Sequence, residues 1–224
     1  MQASSNKGLF ITLEGIEGSG KSFHLHHIAD FLQQQGWQTC TTREPGGSPL
    51  AEHIRAFLLK EYQTEEILVP EAETLLFYAA RAQHIRYVIQ PNLAKGIAVI
   101  SDRFLDSSYA YQQAGRAVSA SQLDYLTQWI VNTCIPDITF VFDLPVEQAM
   151  QRIQNRSLDR IEQEDFAFHQ RVRQAYLARV LQNPQRCILI DSSQEKDAVS
   201  HAVKQHLSVW IQKYPAKLNK PAIN

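Results

Sequence analysis

No stretch of these 224 residues strings together the roughly 20 apolar residues that a bilayer-spanning helix needs. Residues 1–7 are polar and the apolar run behind them is short, so no secretory leader is expected. Cysteine is scarce. Cys40, Cys134 and Cys187 stand far apart among apolar neighbours, which excludes a disulfide scaffold and points to reduced thiols in a cytoplasmic setting. Nor does one sign of charge dominate. Lys and Arg number 22 against 23 Asp and Glu, a formal net charge of −1, so no global basic field draws in nucleic acid or an anionic membrane. Repeats and low-complexity tracts are also missing. What remains, 44% hydrophobic residues, suits one domain over 8–213 with tails expected at 1–7 and 214–224.

Against these absences stands one dense motif, Gly15-Ile16-Glu17-Gly18-Ser19-Gly20-Lys21-Ser22. It fits the phosphate-binding pattern G-x-x-x-x-G-K-[ST] at every fixed position. The context fits as well. Residues 9–13 read as a short buried strand, and Leu25, Ile28, Ala29 and Leu32 recur at helical spacing behind the motif. Glycines let backbone N–H groups turn inward around phosphate oxygens, and the helix N-terminus adds a favourable dipole. Lys21 supplies a point charge and the Ser22 hydroxyl a ligand for Mg²⁺. The chain is therefore expected to bind a nucleoside triphosphate.

Further strands are expected at 37–42, 97–101, 138–144 and 187–190. Helical patterns fall between them at 49–60, 70–93, 122–133, from 146 to about 155, up to 181, and at 195–213. In helix 70–93 the apolar stripe reads Leu75, Leu76, Tyr78, Ala79, Ala82 and Ile85. Apolar strands alternating with amphipathic helices mean an α/β fold: three α/β/α layers around a central, mostly parallel five-stranded sheet of P-loop NTPase type. Ligands in such sheets gather beyond the carboxyl ends of the strands. That gathers Glu17, Arg43-Glu44, Asp102-Arg103 and Asp191-Ser192 along one edge.

Arg43, Arg55, Arg81 and Arg103 are candidates for gripping a phosphate, because guanidinium matches phosphate oxygens bidentately. Taken singly each also reads as a solvated surface charge. Asp102 reads either as a Mg²⁺ partner or as a turn cap. Glu17 places a carboxylate beside the incoming triphosphate, which only an answering cation or hydroxyl makes tolerable. The segment 152–165, with Arg152, Arg156 and Arg160, reads as a mobile helical lid whose arginines reach the transferring phosphoryl group, or as an exposed salt-bridged face.

Together these segments resemble the thymidylate kinase family, its bacterial branch in particular. Thr42-Arg43-Glu44-Pro45-Gly46-Gly47 is similar to the family's T-R-E-P-G-G signature, and Phe77-Tyr78-Ala79-Ala80-Arg81 to the helix along its thymine pocket. Asp102-Arg103-Phe104, Asp106-Ser107-Ser108 and Ala110-Tyr111-Gln112 match its D-R-[YFH]…S-S/T…A-Y-Q stretch, and Leu158-Asp159-Arg160-Ile161-Glu162 its lid. The resemblance implies transfer of the ATP γ-phosphoryl group to dTMP with Mg²⁺ held at Ser22 and Asp102. Residues Gly15, Ile16, Glu17, Gly18, Ser19, Gly20, Lys21 and Ser22, with Arg152, would bind ATP. Lys21, Glu17, Arg103, Arg156 and Arg160 would carry catalysis.

For dTMP the resemblance implies Arg43, Arg55 and Arg103 on the phosphate, with Glu44 beside them. Phe77 would stack on the base, Pro45 would close the pocket, Arg81 and Gln112 would bond the base edge with Ser108 nearby, and Tyr111 would disfavour a 2′-hydroxyl. A homodimer is implied, and the face of Leu126, Trp129 and Ile130 would suit one. Two departures stand out: Phe23 where a small hydroxyl residue is usual, and a lid one residue shorter than in some relatives. A deoxynucleoside kinase, or a P-loop switch or assembly ATPase, are the rival readings. The first would need a carboxylate base and fewer phosphate-binding arginines, the second a water-positioning residue.

Overall fold

A computed structural model describes residues 8–60 and 66–213, so the tails expected at 1–7 and 214–224 lie outside the described residues. The chain runs through β1 (Phe10–Glu14), α1 (Lys21–Gln34), β2 (Thr39–Arg43), α2 (Pro49–Leu59), α3 (Pro70–His84), α4 (Gln90–Ala94) and β3 (Ala98–Asp102). It continues through α5 (Leu105–Ser108), α6 (Ala120–Leu126), β4 (Ile138–Asp143), α7 (Val146–Ile153), α8 (Phe166–Gln182), β5 (Cys187–Asp191) and α9 (Lys196–Lys213). The strands lie in the order β2-β3-β1-β4-β5, and every neighbouring pair is parallel. The sheet is thus wholly parallel among the described residues, a stricter result than the mostly parallel one expected.

β1 is central and buried from end to end. Its alternation divides the core, since successive side chains of a strand point to opposite faces. Leu9, Ile11 and Leu13 join Leu25, Ile28 and Leu32 of α1 and Val203, Leu207 and Trp210 of α9. On the other face Phe10 meets Ile85, Ile89, Val99 and Phe104, while Val141 packs with Val172 and Tyr176. Each such side chain stabilises the fold by ~1.5–3 kcal/mol when fully buried. The same period carries the polar Thr12 and Glu14 to the Phe10 face. Thr12 Oγ1 meets Thr139 Oγ1 at 2.7 Å, and Glu14 is wholly buried at the strand's carboxyl end.

The helix expected at 70–93 is interrupted. Between α3 and α4 a wider π-helical turn spans Ile85–Ile89, and Gln90 N–H bonds back five residues to the Ile85 carbonyl. Pro91, which has no N–H to give an α-helical ladder, follows directly. Similar turns span Tyr109–Gly115 behind α5 and Thr127–Val131 behind α6. The apolar stripe of α3 also needs correction. Leu75 is 57% exposed and Ala79 is exposed, whereas Tyr78 is buried with its hydroxyl on Thr127 Oγ1 at 2.8 Å. Strand β2 begins at Thr39 rather than Trp37, whose indole sits in the core beside α1. Register then does what the parallel topology promised. Arg43 pairs with Asp102, Leu13 with Asp102 and Asp143 with Asp191, so the carboxyl ends align along one edge. Cys40, Cys134 and Cys187 form no disulfide. Among the described residues no helix is long and apolar enough to cross a membrane.

Candidate active site

The phosphate loop turns from β1 into α1 with three glycines in the left-handed region. At Gly15 (φ 136°) an added Cβ would lie 2.4 Å from the Phe142 carbonyl oxygen, and at Gly18 (φ 76°) 2.6 Å from that of Ala149. Neither position tolerates a side chain without backbone movement. Lys21 Nζ folds back onto the Ile16 carbonyl at 2.9 Å. Burial, then the nearby Arg103, lowers its pKa from the ordinary lysine range. Ser22 Oγ donates to Asp102 Oδ2 at 2.8 Å, which joins the first turn of α1 to the end of β3. Two buried oxygens here have no partner, Asp102 Oδ1 and Ser19 Oγ.

Around this loop opens a cavity of about 680 Å³, walled by residues 17–24, Arg152, Arg156 and the turn at 192–196. Arg152 clamps its sides together, donating to the Gly18 carbonyl at 3.3 Å and the Ser192 carbonyl at 3.1 Å. Gly15 and Ile16 do not line this cavity; their carbonyls accept from Arg103 at 3.0 Å and Lys21 at 2.9 Å.

A second cavity of about 180 Å³ lies beyond the carboxyl ends of β2 and β3 and shares Glu17 and Arg156 with the first. Glu44, Pro45, Arg55, Phe77, Arg81, Arg103, Ser108, Tyr111 and Gln112 line it, all expected to bind one ligand, together with Asp159, Ile161 and Glu162 of the supposed lid. Arg103 is its pivot. It sits at φ 71°, a conformation that costs a side-chain-bearing residue ~1 kcal/mol or more and that clusters at functional sites. Its backbone N–H bonds the Leu13 carbonyl at 2.9 Å. Its guanidinium donates to Glu17 Oε2 at 2.9 Å, Tyr176 Oη at 3.0 Å and Tyr111 Oη at 3.1 Å, and lies 5.0 Å over the Tyr111 ring. Foremost the Lys21 ammonium, then Arg103, hold the Glu17 carboxyl at about 2 in spite of its burial.

Glu14, absent from the sequence-based set, organises this corner. It accepts from Phe104 N at 2.8 Å, Ser107 Oγ at 2.6 Å and Tyr176 Oη at 3.1 Å. Burial first, then Asp106, raises its pKa from the ordinary carboxylate value. Strand alternation could have placed Glu14 inside, but nothing local names Tyr176, 162 residues away. At the other end Glu44 receives Arg81 Nε at 2.8 Å and lies 2.9 Å from His84 Nδ1, every partner buried. The remaining Arg81 nitrogens reach Ser108 Oγ and the Phe104 carbonyl, both at 2.8 Å. The Glu44–Pro45 peptide is cis.

Two expected site residues are not brought together with the rest. Arg43 does not line either cavity: its side chain is 54% exposed and pairs with Glu52 at 2.9 Å. As the last residue of β2 it points to the side opposite its neighbours Thr42 and Glu44. Of these two arginines Arg55 is the one that lines the second cavity, donating to the Pro45 carbonyl at 2.8 Å. Arg160, expected over the transferring phosphoryl group, turns away from the phosphate loop to Glu73 Oε2 at 2.7 Å and the Leu58 carbonyl at 3.1 Å. A buried carboxylate outcompetes an open cavity for it. Arg156 does face the site, 3.4 Å from Glu17 Oε1 and 2.6 Å from Glu162 Oε1.

A phosphate loop on the central strand of a parallel sheet, facing an arginine-lined pocket across one carboxylate, defines the P-loop phosphotransferase class. The chain belongs to the thymidylate kinase family, which phosphorylates dTMP to dTDP with ATP as donor. The family's model, described as thymidylate kinase, matches residues 13–203. The thymidylate kinase of Pseudomonas entomophila is 50% identical over 197 residues, covering 88% of this chain and 93% of that protein. That of Nitrosomonas europaea is 47% identical over 200 residues, covering 89% and 92%. The crystal structure of thymidylate kinase from Ehrlichia chaffeensis superposes with a TM-score of 0.72 at 32% identity, covering 90% of this chain and 99% of that one.

Proposed function

We propose that the two cavities are the donor and acceptor ends of one phosphoryl-transfer site, with ATP over the phosphate loop and dTMP beneath Arg103. The observation that carries this reading is their common wall of Glu17 and Arg156. A γ-phosphoryl group passing between substrates must cross there. Loop amides and Lys21 steady the triphosphate, and Arg152 holds the far side of the donor cavity. Arg103 and Arg55 bring the acceptor phosphate into line. Phe77 and Pro45 enclose the base, Arg81, Ser108 and Gln112 meet its edge, and Tyr111 underlies the sugar. The acceptor phosphate is already largely dianionic near neutral pH, so no strong base is needed and catalysis is mostly alignment and cancellation of charge.

Segment 152–165 acts as the lid in this reading, with Arg156 rather than Arg160 reaching the phosphoryl group. On closing, it excludes water that would otherwise hydrolyse ATP. The donors at the loop suit Mg²⁺: a serine hydroxyl, a carboxylate and one unpartnered buried carboxylate oxygen are hard ligands. Among the described residues no cluster of three His, Cys, Asp or Glu could hold a metal alone. Ser22 and Asp102 would hold the cation together with the substrate phosphates, and it would supply charge neutralisation during transfer.

A single cytoplasmic domain over 8–213 and a homodimer complete the proposal. The dimer reading is supported by exposed Leu75, Tyr125 and Trp129 and by a largely apolar groove of about 450 Å³ beside them. Sedimentation equilibrium as a monomer would refute it. For the reaction the test is ADP release with Mg·ATP and dTMP, thymidine, dUMP, CMP or no acceptor. Turnover with dTMP well above the rest is expected. Equal turnover with thymidine, or hydrolysis without an acceptor, would overturn the two-ended site.

A further inference from the structure

Glu73 lies on α3, is 1% exposed, and is not among the residues lining the acceptor cavity. Burying a carboxylate is costly unless it is paired, and here its partners come from two directions. Gln112, a wall residue of the acceptor cavity, donates Nε2 to Oε1 at 3.1 Å. Arg116 Nε reaches the same oxygen at 3.3 Å, and Arg160 donates to Oε2 at 2.7 Å. Arg116 passes the connection on to Glu164 at 2.5 Å. One buried carboxylate therefore ties the cavity wall to segment 152–165 through Arg160 directly and through Arg116 and Glu164.

The chemistry of these partners orients Gln112. A carboxylate between two guanidiniums presents only lone pairs, so the amide must turn its NH₂ toward Glu73. An amide is planar, and its carbonyl then faces away from Glu73. We infer that Glu73 is a positioning residue for base selection. It holds Gln112 with the carbonyl toward the cavity, where that oxygen accepts the ring N–H of thymine or uracil and opposes the ring-nitrogen lone pair of cytosine. A site that presents one fixed hydrogen-bonding sense rejects the opposite edge strongly, because the mismatch leaves buried polar groups unpaired. Through Arg160 this orientation also depends on the lid segment being in place. The inference rests on the acceptor cavity holding a pyrimidine nucleotide.

Steady-state kinetics with dTMP, dUMP and dCMP tests it. Glu73→Gln removes the charge and lets the amide turn over. It is expected to lower the ratio of kcat/KM for dTMP to that for dCMP by about tenfold or more. The dTMP to dUMP ratio and the KM for ATP should stay within about twofold, which a general loosening of the fold would not allow. Arg160→Gln, remote from the base, should shift the dTMP to dCMP ratio in the same direction and less. An unchanged ratio in Glu73→Gln overturns the inference. If that variant does not fold, Glu73→Asp, which keeps the charge and withdraws it by ~1.5 Å, is read by the same criterion. Gln112→Leu separates the two levels. Lost dTMP preference there with none lost at Glu73 refutes the positioning role alone, whereas no effect at Gln112 refutes the pyrimidine pocket.

Discussion

The proposed donor and acceptor ends of this site are made of different materials. The donor end is largely backbone: glycine turns and the mouth of α1, with Lys21 buried beneath them. The acceptor end is side chain against side chain, with Glu14, Glu44 and Glu73 each buried and each answered by arginine, serine, histidine or tyrosine. A backbone cradle is specified by a few adjacent residues and binds any phosphate chain. A carboxylate–arginine cradle is assembled from remote segments and can be shaped to one ligand, at the risk that removing either partner strands a buried charge.

Removing Lys21 probes the contrast most severely. Lys21→Ala should lower kcat on the order of 10²–10³-fold with far-UV circular dichroism and melting temperature nearly unchanged, because a backbone cradle keeps its shape. A large loss of stability would mean that the loop, too, is held by its charge. The acceptor end should respond in the opposite way. Arg81→Met leaves Glu44 buried beside His84 alone and should cost about 3–5 kcal/mol of unfolding free energy in urea titration. A cost below about 1 kcal/mol, the range of exposed pairs, would show that this pair shapes the pocket without supporting the fold.

Two arginines sharpen the boundary between the ends. Arg55→Gln should raise the KM for dTMP about tenfold, as expected for losing a charge-assisted contact, while Arg43→Gln should change it by less than about twofold. Equal effects would return Arg43 to the site.

The smallest effect concerns the donor wall. Burial, then His27, brings the His24 pKa down to about 4. The ring stacks on Phe142 at 5.2 Å. A histidine held neutral in the fold binds its proton more readily once unfolded. Its stabilisation is therefore complete above the unfolded value of 6.5 and is lost as pH falls toward 4. The melting temperature should drop across that window, and less so in His24→Gln. Parallel curves for the two proteins would remove His24 from the acid response.

Legibility followed the same division. The phosphate loop, the five strands and the convergence of Arg103, Asp102 and Glu44 could be read because each depends on a short local pattern or on the parallel-sheet rule. Arg43 and Arg160 point away from the site because a side chain's direction depends on competing partners: Glu52, nine residues on, and Glu73, 87 residues back. The break in helix 70–93 had a visible cause in Pro91, whereas the exposure of Leu75 and Ala79 on α3 did not. Periodicity marks an apolar face without saying what covers it.

By itself the sequence determined an α/β protein with a triphosphate cradle, since glycine placement, strand hydrophobicity and the Lys21-Ser22 pair act over a few residues and need no distant partner. Tertiary structure alone decided which charges meet. It placed Arg103 between Glu17, Tyr111 and Tyr176, gave Arg156 the shared wall, and tied Glu73 to Gln112 and Arg160. Charge–charge and hydrogen-bond partners are set by distance in space, which the burial of opposite sheet faces fixes only once the whole chain has packed.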